Sequence, residues 1–137
     1  MARVIAIDPG AARIGVAVSD SARTMAFPRD FIARTESWVS ELAALVRDER
    51  ADLVLIGVPV TLSGDARAAR EAAHALREQI HAALPFVAVD FADERFTTSI
   101  ASSALREAGV RAREQRASVD SAAAVVLLQG YLDALAR

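Results

Sequence analysis

The sequence contains no cysteine and no lysine among its 137 residues. Without cysteine the chain can form no disulfide and can offer no thiolate to a metal ion. Its basic residues are all arginines, which can bind phosphate through two parallel hydrogen bonds, although an arginine- and alanine-rich codon bias would also leave out lysine. The net charge of −2 argues against a protein that coats nucleic acid through a uniformly basic surface. We therefore expect any nucleic-acid interface to be a local patch of arginines.

Long apolar runs and processing signals are also lacking. No window approaches the ~20 apolar residues of a membrane span. Only four apolar residues separate Arg3 from Asp8, which is too few for a secretory signal. We therefore expect a cytoplasmic protein without membrane contact. Because no repeat, linker or low-complexity segment divides the chain, we expect one domain over residues 1–137.

The first twenty residues predict a buried strand that leads into a hairpin. Residues 4–7 form a short, mostly β-branched apolar run, typical of a strand buried on both faces. Asp8 follows, and Pro9-Gly10 marks a turn. Apolar residues then alternate over residues 14–18, which predicts a second strand. Asp8 is thus expected at the sheet edge, although an aspartate before Pro-Gly also fits ordinary turn chemistry.

The remaining patterns predict an α/β fold. Further strands are expected at residues 26–34, 53–58 and 86–91, with Pro28 confining the first of these to an edge. Helices are expected after a Thr35 cap, from about residue 65 to 84, from Thr97 or Thr98 to Gly109, and from a Ser118 cap to about residue 136. An arginine-rich loop is expected over residues 110–117. The order predicts a mixed five-stranded sheet, an antiparallel three-strand meander plus parallel strands, flanked by helices.

Three acids fall at comparable places in this scheme. Asp8 ends the first strand, Glu94 follows the last strand, and Asp120 lies in the predicted first turn of the last helix. Each has an ordinary explanation: a turn, a pair with Arg95, or a favourable position on the helix dipole. At one sheet edge, however, they would repel one another and raise one another's pKa. A divalent cation would remove that conflict.

The chemistry of the ligands favours a hard cation. Carboxylate oxygens suit Mg²⁺ or Mn²⁺. His74 and His81 are seven residues apart and do not form the i, i+4 pair of a helical zinc site. Carboxylates that hold one or two such ions can activate water and stabilise the leaving oxygen in phosphodiester cleavage.

Four segments carry a resemblance to a known family. They are residues 7–20 (IDPG through RIGVAVSD), 57–64 (GVPV to Gly64), 93–98 (DERFTT) and 119–132 (VDSAAA through LQGYL). With these segments in this order, the chain resembles the YqgF family, also called RuvX, of the RNase H-like superfamily. The resemblance implies an RNase H-like fold and a metal-dependent nuclease whose catalytic, metal-binding acids fall on Asp8, Glu94 and Asp120. It also implies a part in maturing the 5′ end of pre-16S ribosomal RNA or, through the likeness to RuvC, in resolving Holliday junctions.

Two departures from the family pattern bear on the substrate. RuvC-like resolvases carry two acids on the last helix, whereas Ala123 follows Asp120 here. The basic segment before that helix holds only arginines, where the family often has lysines. The first departure weakens the junction-resolvase interpretation and favours RNA ends over four-way DNA junctions, with branched or single-stranded DNA kept as the alternative partner. We expect a monomer or weak homodimer, since the sequence shows no stripe of exposed large apolar residues that would indicate an obligate dimer.

Arginines around the acids are the candidate nucleic-acid contacts. They lie in the hairpin, beside Glu94 and in the segment before the last helix: Arg13, Arg95, Arg111, Arg113 and Arg116. Among the aromatic residues, Trp38 is expected in the core, which leaves Phe96 and Tyr131 for base stacking. Asp93 and Asp20 are reserve acids, and Asp20 is expected to be structural.

Other classes of protein fit less well. An actin- or Hsp70-like ATPase also begins with a strand and a phosphate-binding hairpin, but it needs two such domains and is longer. A dinucleotide-binding fold would carry Gly-x-Gly-x-x-Gly after a strand, which is absent. A noncatalytic RNA-binding assembly factor with the same fold stays open, and it would need the arginines but not the three acids.

Overall fold

The computed structural model describes residues 2–58, 66–93 and 112–136. The helix expected between residues 97 and 109 lies outside them. The described elements are β1 (Arg3–Pro9), β2 (Arg13–Ser19), β3 (Ala26–Ala33), α1 (Trp38–Glu49), β4 (Ala51–Val58), α2 (Ala66–Ala83), β5 (Ala88–Asp93) and α3 (Ala112–Leu135).

The strands form one mixed sheet in the order β3-β2-β1-β4-β5. The β1–β2 and β2–β3 pairs are antiparallel, whereas β1–β4 and β4–β5 are parallel. This confirms the predicted five-stranded sheet. Pro28 lies in the edge strand β3, where its missing N–H need not cost a ladder bond. The carboxyl ends of β1, β4 and β5 meet at one edge, called here the carboxyl edge.

Helices cover both faces of the sheet. One core cluster joins α1 and α2 to side chains such as Ile5, Ile7 and Ile56. The other joins α3 to Val4, Ala6 and other side chains of the opposite face. Because β1 is buried on both faces, its apolar run is continuous, as predicted from the sequence. Among the described residues no helix is both long and apolar enough to span a membrane.

The starts of β5 and α1 differ from the predictions. β5 begins at Ala88, where it starts to pair with β4, two residues after the predicted start. Phe86 instead lies in a turn closed by the Val87 N–H and the Leu84 carbonyl, and 97% of its surface is exposed. Helix α1 has Ser37 at its N-cap rather than Thr35, whose carbonyl accepts a hydrogen bond from the Trp38 amide.

The last helix begins earlier than predicted. Residues 112–117, expected in a loop, form the first turns of α3, and Ser118 lies inside the helix rather than at its cap. The segment has no glycine or proline, and alanine, arginine, glutamate and glutamine favour helix. Asp120 is thus the ninth residue of α3. A favourable interaction with the helix dipole, which fades beyond the first turn, therefore does not explain its presence.

The β1–β2 turn is held by backbone hydrogen bonds and one arginine. The Gly10 amide donates to the Arg13 carbonyl at 2.9 Å, and the Arg34 guanidinium donates to the Gly10 carbonyl at 2.8 Å. A methyl group at residue 10 would lie 2.6 Å from the Arg13 carbonyl oxygen. Only glycine therefore allows this close approach, which fixes the hairpin next to Asp8.

The Gly10→Ala variant should lose stability. Its methyl group cannot fit without moving the turn, so we expect a loss of about 1–3 kcal/mol in the free energy of unfolding. Denaturant titration measures this loss. Ala11→Ser, at the exposed neighbouring position of the same turn, is the matched control and should change stability little. Equal midpoints for the two variants would contradict the assigned role of Gly10.

Candidate active site at the carboxyl edge

Asp8 lies near the end of β1 on the sheet face that α3 covers. It pairs with Gly15 of β2, while its neighbour Ile7 points into the core on the opposite face. The Asp8 carboxylate is half-buried, and this burial raises its pKa above the ordinary value of 3.8. No hydrogen-bond donor or cationic side chain among the described residues compensates it. A partly desolvated carboxylate without such a partner favours a bound cation.

Gly57 allows helix α3 to pack closely against β4 beside this carboxylate. It lies on β4, the strand next to β1, and a methyl group added there would stand 3.6 Å from Asp8 Oδ1. The same methyl group would lie 3.2 Å from Leu127 Cδ2 of α3. A side chain at residue 57 would therefore crowd Leu127 of α3 next to the carboxylate, so glycine permits this close packing. The carboxylate oxygens themselves are donors that suit a hard divalent cation.

A serine fixes helix α3 at the level of Asp8. Ser121 is fully buried, and its Oγ accepts a hydrogen bond from the Val16 amide at 3.0 Å and donates to the Arg29 carbonyl at 2.6 Å. Val16 is the neighbour of Gly15, the residue that pairs with Asp8. The backbone of residue 120 therefore lies over β2 and β3, at the level of the Asp8–Gly15 pair. The Asp120 side chain is outside the described part of the structure.

Gln129 holds the same helix two turns further on. Its Oε1 accepts from the Ala26 amide at 2.9 Å, and its Nε2 donates to the Thr24 carbonyl at 2.9 Å. Ser121 and Gln129 together set the position of α3 along the sheet. Neither was singled out for this role from the sequence, because their partners lie about a hundred residues away in the chain.

The structure describes only part of the predicted set of site residues. Glu94, Arg95, Phe96 and Arg111 lie outside the described residues, and the side chains of Asp93, Arg113, Arg116 and Asp120 are not described. The backbones of residues 113 and 116 belong to α3, not to a loop. Residue 93 ends β5, two strands from β1, which corresponds to about 10 Å across the sheet.

No group of three potential metal ligands occurs among the described side chains. Two of the three predicted ligands, Glu94 and Asp120, are not among those side chains. The three-acid site therefore stays a prediction, of which Asp8 is the described part.

The reserve acid Asp20 has a structural environment. Its carboxylate accepts hydrogen bonds from the Thr24 hydroxyl and from the amides of Thr24 and Met25. These bonds, led by that of the Thr24 hydroxyl, lower the pKa of Asp20 to about 2. Asp20 closes the β2–β3 turn at the opposite edge of the sheet, as its predicted structural role requires.

One exposed aromatic residue on the α3 face of the sheet is a residue that the sequence did not indicate. Phe31 of β3 is 38% exposed, and the Arg13 guanidinium lies 4.9 Å from the centre of its ring. Tyr131, predicted for base stacking, packs against the core cluster under α3. Trp38 is buried in the other cluster, as predicted.

The sheet order, the helices on both faces and the acid at the end of β1 define an RNase H-like fold. Two solved structures share it: RuvC of T. thermophilus in complex with a Holliday junction substrate and the Fowlpox virus resolvase with Holliday junction DNA. The first has a TM-score of 0.60 and 16% identity and covers 98% of this chain and 96% of its own. The second has a TM-score of 0.61 and 12% identity, with coverage of 98% and 99%.

Sequence comparison identifies the family. The family described as "RuvX: Holliday junction resolvase" matches residues 2–134. Relatives named "Putative pre-16S rRNA nuclease" include those of Nocardia farcinica, 42% identical over 96% of this chain and 77% of the relative, and Mycolicibacterium smegmatis, 46% identical over 96% and 80%. The relative in Mycobacterium tuberculosis is 44% identical over 96% and 78%. The chain belongs to the RuvX (YqgF) family, whose members are named as nucleases.

Proposed function

We propose that the chain is a divalent-metal-dependent nuclease that hydrolyses phosphodiester bonds at the carboxyl edge. The observation that carries this proposal is the half-buried Asp8 carboxylate at the end of β1, which has no cationic partner among the described residues. The names of the relatives support the same reaction class.

The three acids have distinct places in this proposal. Asp8 on β1, Glu94 after β5 and Asp120 on α3 would hold Mg²⁺ or Mn²⁺ from three separate elements. When bound, the ion supplies a more acidic water and a positive charge for the leaving oxygen. The chain's own contribution is to hold these oxygens in place, which rigid strands and a fixed helix do better than loops.

We propose RNA as the substrate, in maturation of the 5′ end of pre-16S ribosomal RNA in the cytoplasm. The names of the curated relatives support this choice. So do the net charge of −2 and the alanine at residue 123, where a resolvase of the RuvC type would carry its second acid on the last helix. A single flexible strand can reach one site on a small protein, whereas paired junction cleavage requires two sites related by symmetry.

The second candidate function is resolution of Holliday junctions. The family description and the fold shared with two junction-bound resolvases favour it. The two candidate functions require different oligomeric states, because a resolvase must act as a dimer on two strands of the same polarity. A noncatalytic RNA-binding factor, by contrast, would need neither a metal ion nor a second copy of the chain.

The test compares substrates and metals on the purified protein. Single-stranded RNA, single-stranded DNA and a mobile four-way junction are incubated with Mg²⁺ or Mn²⁺, and depletion of the protein in its host is followed by mapping of 16S 5′ ends. We expect cleavage of single-stranded RNA and unprocessed 16S ends. Symmetric paired nicks in the junction with normal 16S ends would establish the resolvase instead. RNA binding without cleavage in either metal would indicate the noncatalytic factor.

The arginine segment at the start of α3 should carry part of the binding. We expect the combined replacement of Arg111, Arg113 and Arg116 by alanine to weaken binding of all single strands similarly. It should also lower the salt dependence, by about 0.7 in slope for each phosphate that the protein no longer neutralises. Replacement of Arg47 and Arg50 at the far end of α1 is the charge control. An unchanged slope in the triple variant would remove this segment from the interface.

A further inference from the structure

The pairing of β2 with β3 contains an irregularity at the level of Asp8. Val16 pairs with Arg29 and Ile14 pairs with Ile32, so two residues of β3 stand opposite the single Gly15 of β2. This is the pattern of a β-bulge, which places an extra residue in one strand and redirects the side chains that follow. Gly15 is also the partner of Asp8 on β1.

The bulge changes the face on which Phe31 lies. Arg29 faces α1, where its guanidinium binds Glu49 at 2.9 Å, and Ile32 belongs to the core cluster on that same face. Regular alternation would place Phe31 with Arg29 and would turn Ile32 to the opposite face. With the extra residue, Ile32 enters the core and Phe31 lies on the face of α3 and Asp8.

Asp8, Gly15 and Phe31 therefore form a row across three neighbouring strands. The distance from β1 to β3 is about 10 Å at the usual strand spacing. Gly15 carries no side chain, so β2 places no side chain between the carboxylate and the ring at this level, where Ser121 of α3 contacts Val16 and Arg29. Arg13 lies on the same face, with its guanidinium 4.9 Å from the ring centre, and Phe31 keeps 38% of its surface exposed.

We propose that Phe31, with Arg13 stacked over it, is a platform for the stacking of one nucleobase when a single strand binds at the carboxyl edge. This inference rests on the proposed nuclease function and deepens it by naming a contact to a base. Aromatic rings and arginine planes both bind unpaired bases by stacking, and they do so with little sequence preference. Base-paired nucleotides in a duplex cannot reach the platform without leaving the stack, which favours single-stranded substrates.

The experiment measures binding to single-stranded RNA in an Asp8→Asn background, which prevents cleavage. A series of oligonucleotides carries one abasic nucleotide moved along the strand. We expect Phe31→Ala to weaken binding of the intact strand about tenfold or more, the range for loss of one base–aromatic stack. In the protein that retains Phe31, the abasic nucleotide should weaken binding by a similar factor at one position of the strand. In Phe31→Ala the abasic nucleotide at that position should weaken binding no further.

Phe27 provides the matched control. It lies on the same strand and is 44% exposed, but it faces away from Asp8, on the side of α1. Phe27→Ala should bind like the parent. Phe31→Trp should retain binding. Phe31→Leu keeps the apolar packing but has no aromatic ring, so it should lose binding. The leucine variant therefore tests the stacking even if Phe31→Ala folds poorly.

Two results would overturn the proposal in different ways. If Phe31→Leu matches Phe27→Ala in affinity and in its abasic profile while the wild-type protein still cleaves RNA through Asp8, stacking at Phe31 is wrong and the nuclease stands. If the wild-type protein cleaves no strand in Mg²⁺ or Mn²⁺ and binds none, both the platform and the proposed function fail.

Discussion

Asp8→Asn should abolish strand cleavage while the protein remains folded. The substitution is nearly isosteric, but the amide removes the negative charge and one of the two oxygen donors for a hard cation. We expect the cleavage rate to fall by at least about 10²–10⁴-fold, the scale for a residue that acts directly in a proton-transfer or metal-assisted step. Single-turnover cleavage with Mg²⁺ and Mn²⁺ measures the loss.

The same variant should be more stable than the wild-type protein at neutral pH. Burial raises the pKa of Asp8 in the folded state above 3.8, so the folded protein binds the proton more tightly than the unfolded chain does. The contribution of Asp8 to stability therefore falls as the pH rises from 3.8 through the folded-state pKa, and the penalty is fully present above that value. Asparagine has no such penalty, so the gain should vanish at a pH below 3.8. Thermal melts across this range test it.

Addition of a divalent metal ion tests whether Asp8 belongs to a metal-binding site or is only a buried carboxylate. Mg²⁺ or Mn²⁺ should raise the melting temperature of the wild-type protein, because a ligand that binds only the folded state stabilises it. It should stabilise Asp8→Asn much less. Asp20→Asn is the control, since its carboxylate serves a turn at the opposite edge of the sheet. If Asp8→Asn cleaves at the wild-type rate, the site is misassigned.

The central strand and the hairpin could be predicted because their signals are local. The apolar run before Asp8 and the alternation after Gly10 each lie within a few residues. Pro28 indicated an edge strand for an equally local reason, the missing N–H. The position of Asp8 at the carboxyl edge followed from these elements alone.

What the sequence could not predict depends on contacts between distant segments. Residues 29–32 read Arg-Asp-Phe-Ile, and nothing in that pattern shows which of them faces the core, because the bulge decides it through pairing with β2. The start of α3 was missed because Ser118 resembles a cap, although helix-forming residues lie on both sides of it. A serine inside a helix can instead point its hydroxyl at a neighbouring strand, as Ser121 does.

Ser121→Ala should be the most destabilising of the conservative changes near the site. Its hydroxyl serves two backbone groups at the β-bulge, the buried Val16 amide and the partly buried Arg29 carbonyl. Removing it leaves both unsatisfied, which costs about 1–3 kcal/mol for each group. We expect a loss of about 2–5 kcal/mol in the free energy of unfolding, measured by denaturant titration.

Ser19 offers a control with the same chemistry at the opposite edge. It is also buried, and its Oγ accepts from the Val4 amide and donates to the Asp20 carbonyl, both at 2.9 Å, beside a register shift between β1 and β4. Ser19→Ala should therefore lose a similar amount of stability. Cleavage should differ, because only Ser121 holds α3 and the bulge at the level of Asp8.

The comparison is made well below both melting temperatures, so that each variant is fully folded. Under those conditions Ser19→Ala should keep the wild-type cleavage rate, whereas Ser121→Ala should cleave more slowly and bind single strands more weakly. The physical reason is that residue 120 and the Phe31 ring both depend on the contact that Ser121 makes with Val16 and Arg29. Equal cleavage by the two variants would mean that Ser121 serves only folding and that the bulge plays no part in arranging the site.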